Sequence, residues 1–231
     1  MSPQVLASAA PPVRVPAVGE PLPPAFYVRA TPELALALLG VRVVRRWASG
    51  GLSTATIVEV EAYGGPEDQA SHARFGPTRR NLTMFGPAGH AYVYRIYGIH
   101  HCLNIVGAAD GAVGAVLVRA AMPDAGVNEL AARRSDARAD PPSVERLAAG
   151  PGNLCAALGI GLELDGLDLR AGEGLWLAAP AEAARQRLLA AGVVRGPRVG
   201  VERRGAPWAA LAWRFGVRGH PALSRPFARG A

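Results

Sequence analysis

The sequence contains no lysine, so all 25 of its cationic side chains are arginines. Enzymes that form a Schiff base with a carbonyl group need an amine, and here only the α-amino group could supply one. Cysteine is nearly absent as well, because Cys102 and Cys155 cannot build a disulfide framework. No apolar run approaches the roughly 18 residues of a membrane span, and no basic segment precedes the short apolar stretch near the N-terminus. We therefore expect a soluble, cytoplasmic protein that is not exported.

The motifs of common cofactor sites are also missing. Neither a Walker pattern nor a dinucleotide-binding glycine pattern occurs. His90, His100, His101 and Cys102 lie close together in the chain. Neighbouring residues of a strand point to opposite faces, however, so His101 and Cys102 could not bind one ion together. We expect no metal and no cofactor.

Positive charge is in excess. The 25 arginines outnumber the 18 acidic residues and leave a formal net charge of +7. Such a balance favours a polyanionic partner, either a nucleic acid or an acidic membrane surface, although arginine-rich usage can also reflect genome composition alone.

The patterning along the chain predicts one domain between flexible ends. Residues 1–25 hold seven prolines and no period, which is typical of a disordered, proline-rich arm. The folded domain is expected over 26–225, followed by a flexible tail over 226–231. A helix should begin at Thr31-Pro32 and end at Gly40, because it has an N-cap, a proline in the first turn and a terminating glycine.

Strand patterns cluster early and late in the chain, without regular alternation with helices. They are expected at 41–47, 54–63, 91–98, 101–107 and 115–121, with short strands at Trp176, 197–201 and 214–217. Helical patterns fill about 125–160. These features predict an α+β fold: a single domain with a curved, largely antiparallel β-sheet, a protruding β-hairpin and surrounding helices.

The strand run IVEVEAY carries two carboxylates just before a glycine-rich loop. Period-two alternation places Ile57, Glu59 and Glu61 on one face and Thr56, Val58 and Val60 on the other. Glu61 leaves the strand beside a tyrosine, whereas Glu59 lies deeper and is expected to be structural. A carboxylate at a strand end can be a solvated surface group or a base directed into a pocket, and its surroundings decide between the two.

Those surroundings consist of several separated motifs. Four of them follow one another along the chain: EAYGGPEDQASH, RFGPTRRNLTMF, YVYRIYGIHHCLN and VLVRA. They are preceded by LALLGVRVVRR and followed by AGPGNLCAALGI, PRVGV and WRFGVRG. In this order they resemble the alkyladenine (3-methyladenine) DNA glycosylase family over about residues 26–220. The resemblance implies an enzyme that flips a damaged purine out of duplex DNA and hydrolyses its N-glycosidic bond.

The resemblance also implies a role for each matching residue. Glu61 would be the base that activates water, aided by Arg119 and the main-chain carbonyl of Val199. Further roles are implied for a base pocket (Tyr63, His72, Tyr94 and Asn104) and a minor-groove wedge (Tyr97). Independently of the resemblance, we expect phosphate contacts from the basic loop (Arg74, Arg79 and Arg80) and from the N–H groups at the predicted helix start near Gly152. The implied partner is double-stranded DNA that contains damaged purines. The protein itself is expected to be a monomer associated with the nucleoid. Without lysine, we expect no cleavage of the DNA backbone.

Three alternatives remain open. AGPGNLCAAL also resembles the anchoring hairpin of helix-hairpin-helix glycosylases, whose catalytic acid would be Asp165 or Asp168 here. A non-catalytic module could capture distorted DNA with the same wedge, and a hydrolase of free nucleosides would need no duplex. Departures from the family pattern occur where Asn153 replaces a basic residue, His100 an aromatic residue and Ala212 a proline.

Overall fold

The computed structural model describes residues 19–107, 112–135 and 142–228. Eight strands form its sheet: β1 (Arg42–Arg46), β2 (Leu52–Tyr63), β3 (Ala91–Ile96), β4 (His100–Val106), β5 (Ala115–Ala125), β6 (Leu175–Ala178), β7 (Val193–Gly196) and β8 (Arg214–Val217). Five helices accompany them: α1 (Thr31–Leu38), α2 (Val127–Arg134), α3 (Val144–Leu147), α4 (Pro151–Ala157) and α5 (Glu182–Leu189). None of the helices in these ranges is long and apolar enough to cross a membrane.

Every strand pair is antiparallel, in the order β3-β4-β5-β2-β1-β6, with β8 joining β2 and β7 joining β8. The twelve-residue strand β2 organises the sheet, because it pairs with β5 along one edge. Its other edge pairs first with β1 and then, over Glu59–Glu61, with β8. The predicted α+β class, the antiparallel sheet and the β3–β4 hairpin are confirmed.

The main core lies where helices pack against this sheet. Leu34 and Leu38 of α1 and Leu154 of α4 are fully buried together with Ile57 of β2 and Ile105 of β4. Helix α1 begins with a proline in its first turn, and the chain turns away at Gly40, whose φ of 83° favours glycine. The apolar surface thus anchors the middle of β2 and leaves the strand's C-terminal end to carry polar side chains.

The pairing of β2 with β5 is irregular beside the two glutamates. Ile57 pairs with Ala121, Glu59 with Ala120 and Val60 with Val118, so neither Val58 nor Arg119 has a partner. Such bulges redirect side chains. The prediction that Ile57 shares a face with the glutamates is therefore wrong: Ile57 lies in the main core with Val60, and Val58 packs in a separate cluster with Val217.

The chain ends and two short segments differ from the predicted pattern. The predicted arm up to residue 18 and the tail from residue 229 lie outside the described residues. Residues 19–25, assigned to the arm from the sequence, lie against β6, where Leu22 is buried and its N–H donates to Leu177 O at 2.8 Å.

The strand predicted at 197–201 is wrong, since β7 ends at Gly196 before Pro197, which has no N–H to donate. Helix α5 was not predicted from the sequence.

Candidate active site

Glu61 is fully buried near the end of β2 and is held by three donors. Val199 N–H donates to Oε1 at 2.7 Å, and the Tyr63 hydroxyl donates to Oε2 at 2.8 Å. Arg119 Nη1 lies 3.4 Å from Oε2. Tyr63, Arg119 and Val199 all line a cavity of about 730 Å³, so the carboxylate lies directly behind the cavity wall. Val199 thus contacts Glu61 through its N–H, whereas the resemblance implies a role for its carbonyl oxygen.

Burial and hydrogen bonding act on Glu61 in opposite directions. Burial raises the pKa of its carboxyl group above the usual value, and this is the larger effect. Arg119, the Val199 N–H and the Tyr63 hydroxyl lower the pKa, because they stabilise the charged form. Arg119 therefore supports ionisation, as expected from the sequence, but the net pKa remains raised.

Glu59 is also fully buried, yet all its contacts are structural. Its Oε1 accepts from Arg119 Nε at 3.1 Å, Arg214 Nε at 2.7 Å and Ser224 Oγ at 2.8 Å, and its Oε2 accepts from Ser224 N–H. Neither glutamate lines the cavity itself, although Arg119 and Ser224, which bind Glu59, do. Glu59 joins β2, β5, β8 and the C-terminal segment, and fixes the guanidinium of Arg119 between the two carboxylates.

Aromatic rings from a loop and from β3 form one wall of the cavity. The His72 ring lies 4.6 Å from that of Tyr94, centre to centre, and the rings of Tyr92 and Tyr94 are 5.4 Å apart. His72 Nδ1 is 2.9 Å from the Tyr92 hydroxyl. Tyr92 was not singled out from the sequence, although the alternation in YVYRIY places it on the same strand face as Tyr94.

His72 is uncharged at neutral pH. Its pKa falls to about 4, first because the ring is buried and then because Arg80, Arg74 and Arg204 place positive charge near it. His72 therefore adds no positive charge to the wall of the cavity.

A buried ion pair joins the loop between Tyr63 and His72 to the loop that carries Val199. Both Nη atoms of Arg198 donate to Asp68, Nη2 at 3.0 Å to Oδ1, and both side chains are fully buried. Arg198 Nη1 also donates to Ala62 O at 3.0 Å, and its guanidinium lies 4.8 Å from the Tyr63 ring centre. The pair joins residues 130 positions apart and was not predicted from the sequence.

Tyr97 occupies the tip of the β3–β4 hairpin and is 84% exposed. Ile99 N–H donates to Ile96 O at 3.3 Å, and the two residues between them, Tyr97 and Gly98, have φ angles of 53° and 73°. A turn of this kind favours asparagine or glycine at the first position, and a tyrosine there costs about 1 kcal/mol or more. The hairpin therefore presents a large ring to solvent at a cost in stability.

Replacing Tyr97 by Asn should change stability and activity in opposite directions. Asparagine accepts positive φ more readily, so the free energy of unfolding in urea should rise by up to about 1 kcal/mol. Base release from damaged duplex should fall, because the variant loses the ring for which the resemblance implies a role as minor-groove wedge. Tyr97→Phe, which keeps the ring, is the control and should retain activity. Wild-type base release by Tyr97→Asn would show that Tyr97 is no wedge.

Asn104, Gly152 and His100 also line the cavity. Asn104 Nδ2 donates to Tyr92 O at 3.0 Å, which fixes the orientation of its amide. A side chain at Gly152, in the first turn of α4, would come within 3.1 Å of the His100 ring. Asn153 instead bonds to Ala149 O through Nδ2 at 2.8 Å. His100 thus lies against the first turn of α4, next to Gly152.

The arginines expected at phosphates have different surroundings. Arg74 donates to Ser71 O at 2.9 Å and lies 3.9 Å from the Phe75 ring centre. Arg80 donates to Arg95 O at 3.0 Å, and its guanidinium lies 5.6 Å from the Tyr94 ring centre, where it supports that ring from behind. Arg79 and Arg80 line a second cavity of about 530 Å³ on this side of Tyr94.

The rival catalytic aspartates lie elsewhere. Asp165 accepts from Val93 N–H at 2.9 Å and from Thr83 Oγ1 at 3.0 Å, and Asp168 pairs with Arg170 at 2.7 Å. Neither lines the cavity backed by Glu61. Within the described ranges, no group of three or more histidine, cysteine or acidic side chains could hold a metal ion.

Comparison with known proteins places the chain among the DNA glycosylases. The model of the methylpurine-DNA glycosylase family matches residues 25–221, so the chain belongs to this family. The resemblance inferred from separated sequence motifs is thereby confirmed.

Three relatives carry the name "Putative 3-methyladenine DNA glycosylase". The protein from Anaeromyxobacter dehalogenans strain 2CP-1 is 48% identical over 209 residues, which cover 89% of this chain and 86% of that protein. The protein from Methanoculleus marisnigri is 45% identical over 88% of this chain and 98% of its own length. The one from Rhodopseudomonas palustris strain HaA2 is 42% identical over 91% of this chain and 94% of its own length.

Proposed function

We propose that the protein is a monofunctional 3-methyladenine DNA glycosylase that flips a damaged purine into the 730 Å³ cavity and hydrolyses its N-glycosidic bond. The observation that carries this proposal is the placement of Glu61 behind Tyr63, Arg119 and Val199, three residues of the cavity wall. The protein acts as a monomer on duplex DNA in the cytoplasm and needs no cofactor, metal or membrane.

Glu61 is the general base in this proposal. A carboxylate offers about four acceptor positions. Val199 N–H and the Tyr63 hydroxyl occupy two of them, and Arg119 Nη1 lies 3.4 Å from Oε2 as an ion pair. A remaining position accepts a proton from water, which then attacks the sugar carbon as the base departs. Arg119 and the N–H of Val199 favour the ionised carboxylate, against the larger effect of burial on its pKa.

Tyr63, His72 and Tyr94 hold the flipped base. Stacking on aromatic rings is worth roughly 1 to 3 kcal/mol per base, and a purine carrying positive charge gains more from the electron-rich faces of tyrosines. The neutral state of His72, whose pKa is about 4, matters here because an imidazolium would repel such a base. Besides 3-methyladenine, the proposed substrates are hypoxanthine and ethenoadenine, which have no 2-amino group, and 7-methylguanine, which keeps that group and is expected to be released more slowly.

Asn104 selects against undamaged guanine. Its amide is held in place because Nδ2 donates to Tyr92 O, so its side chain keeps a fixed position in the cavity wall. There it would leave the 2-amino group of guanine without room, and a pocket can discriminate between substrates by such a group.

The absence of lysine supports hydrolysis without strand cleavage. Glycosylases that also cleave the DNA backbone form a Schiff base with the sugar through an amine, and this chain has no side-chain amine. The product is therefore an abasic site in an intact strand.

Duplexes that each contain one defined lesion test this function. Incubation with the protein should release the free base from a 3-methyladenine duplex and leave an alkali-labile site in an uncut strand. Sodium borohydride should trap no covalent complex. Binding of these duplexes without any base release would instead indicate a damage-binding module, and release from free nucleosides at the same rate would indicate a nucleoside hydrolase.

A further inference from the structure

Two arginines line the cavity on the side of Val199 and were not anticipated from the sequence. Arg204 ends a short 3₁₀ turn over Glu202–Arg204, and Arg225 follows Ser224, the residue that binds Glu59. Both side chains are exposed and line the cavity backed by Glu61. They come from a different part of the chain than Arg74, Arg79 and Arg80.

These two guanidinium groups form no hydrogen bond or ion pair among the described residues, whereas Arg119, Arg198 and Arg214 are each engaged by buried carboxylates. Glu202, the one carboxylate on the same rim among the described residues, accepts from Gly200 N–H at 3.2 Å, and backbone hydrogen bonds, followed by the charge of Arg225, lower its pKa. The rim thus has two exposed arginines beside one carboxylate, and this excess of positive charge is favourable for an anionic ligand.

Arg204 lies close to the loop that carries His72 and Arg74. Its charge contributes to lowering the pKa of both residues, after burial. Positive charges that repel one another across a cavity entrance are destabilising unless an anion lies between them. Such an anion would lie beside the aromatic wall, where the sugar and phosphate of a flipped nucleotide must pass.

We propose that Arg204 and Arg225 bind backbone phosphates of the damaged strand, opposite Arg74, so that the strand is held on both sides of the flipped nucleotide. This inference rests on the proposed function, because it assumes DNA over the cavity. Arginine suits the role, since its planar guanidinium can bind phosphate through two parallel hydrogen bonds. These interactions set position and affinity and read no sequence.

Salt-dependent binding tests the proposal. The probe is a duplex with a tetrahydrofuran abasic-site analogue, which cannot be cleaved, and binding is measured by fluorescence anisotropy. Removing one arginine–phosphate interaction should reduce the slope of log Kd against log salt by about 0.9 and weaken binding about tenfold near 0.1 M salt. Arg204→Gln and Arg225→Gln should each show this change.

Arg187→Gln is the matched control, because it removes the same charge from an exposed position on α5. Helix α5 borders a different cleft, near Thr56 and Met122. The inference is wrong if Arg204→Gln and Arg187→Gln alter the slope equally, or if neither alters it.

Neutral methylphosphonates placed singly beside the analogue locate the bound phosphate. At the phosphate that Arg204 binds, the modification and the Gln substitution should remove the same interaction, so their effects should not add. Full additivity at every flanking phosphate would contradict the proposal. Failure of this inference is distinguishable from failure of the proposed function, because binding is scored without chemistry. If the wild-type protein releases no base but Arg204→Gln still weakens DNA binding, the proposed enzymatic function is wrong and the proposed phosphate contact of Arg204 stands.

Discussion

Glu61→Gln is expected to lower the rate of base release by about 10²- to 10⁴-fold, the usual contribution of a general base. Glutamine preserves the volume of the buried side chain, and its amide can still accept from Val199 N–H and donate to the Tyr63 hydroxyl oxygen, although the ion pair with Arg119 is lost. It cannot take a proton from water. The measurement is single-turnover release of base with protein in excess, so that binding does not limit the rate.

Binding of the abasic-analogue duplex should change little in this variant, because Glu61 is fully buried and contacts only protein side chains and backbone. Glu129→Gln is the control, since Glu129 is an exposed carboxylate on α2 paired with Arg133. Nearly wild-type release of the nucleobase by Glu61→Gln would show that Glu61 is not the general base.

The pH dependence of the same reaction reports the state of this carboxylate. Because burial raises the pKa of Glu61, the rate should begin to fall at a higher pH than an ordinary glutamate would allow as the solution is made acidic. Arg119 opposes that rise in pKa, so Arg119→Gln should move the acid limb further upward in pH. An acid limb that does not respond to Arg119→Gln would contradict the proposed coupling.

Asp68→Asn is expected to destabilise the fold by about 3–5 kcal/mol, the cost of leaving one partner of a buried ion pair uncompensated. Arg198 would keep its charge in a fully buried position with no carboxylate beside it. For a domain of this size each kcal/mol shifts the thermal midpoint by about 2–4 °C, so circular dichroism should record a fall of about 10 °C.

Asp168→Asn provides the matched control. Asp168 also binds an arginine through both oxygens, but the side chains of this pair are 38% and 29% exposed. Exposed pairs contribute about 1 kcal/mol or less. Equal destabilisation by the two substitutions would show that burial does not govern the Asp68–Arg198 pair.

The Asp68 contribution should also depend on pH. Burial alone would raise the pKa of Asp68, but Arg198 and the N–H groups of Gly64 and Ala70 lower it below the usual value. A depressed pKa in the folded state gives stability that is complete above about pH 4, the ordinary value for aspartate. That stability is lost as the pH falls through the depressed pKa, so the difference between wild type and Asp68→Asn should shrink in acid.

Much of the site could be predicted from the sequence because its signals are local. Glu61 and Tyr63 are two residues apart at a strand end, and Tyr94 and Asn104 lie on adjacent strands of one hairpin. The strand at Arg214 begins where the pattern predicts, and the first helix begins within one residue of its predicted start, although its N-cap is Ala30 and not Thr31. Residues this close in the chain, or joined by a short turn, have relative positions that secondary structure largely determines.

The features that were not predicted all depend on chain segments that are far apart. The bulge at Arg119 arises from the register of β2 against β5, and alternation within either strand alone contains no sign of it. Asp68 and Arg198 pair across 130 residues. The position of each buried carboxylate decides which arginines form ion pairs, as Arg119 and Arg198 do. Arg204 and Arg225 form no such pair among the described residues and line the rim of the cavity.

The sequence by itself determined the fold class, the family and the residue types of the pocket, because hydrophobic periodicity and closely spaced motifs are properties of short segments. Only the tertiary structure decided which side chains surround the two neighbouring glutamates. The physical reason is that hydrogen bonding and ionisation are set by neighbours in space: Glu59 is bound by Arg119, Arg214 and Ser224, whereas Glu61 is bound by Val199 and Tyr63 and lies 3.4 Å from Arg119.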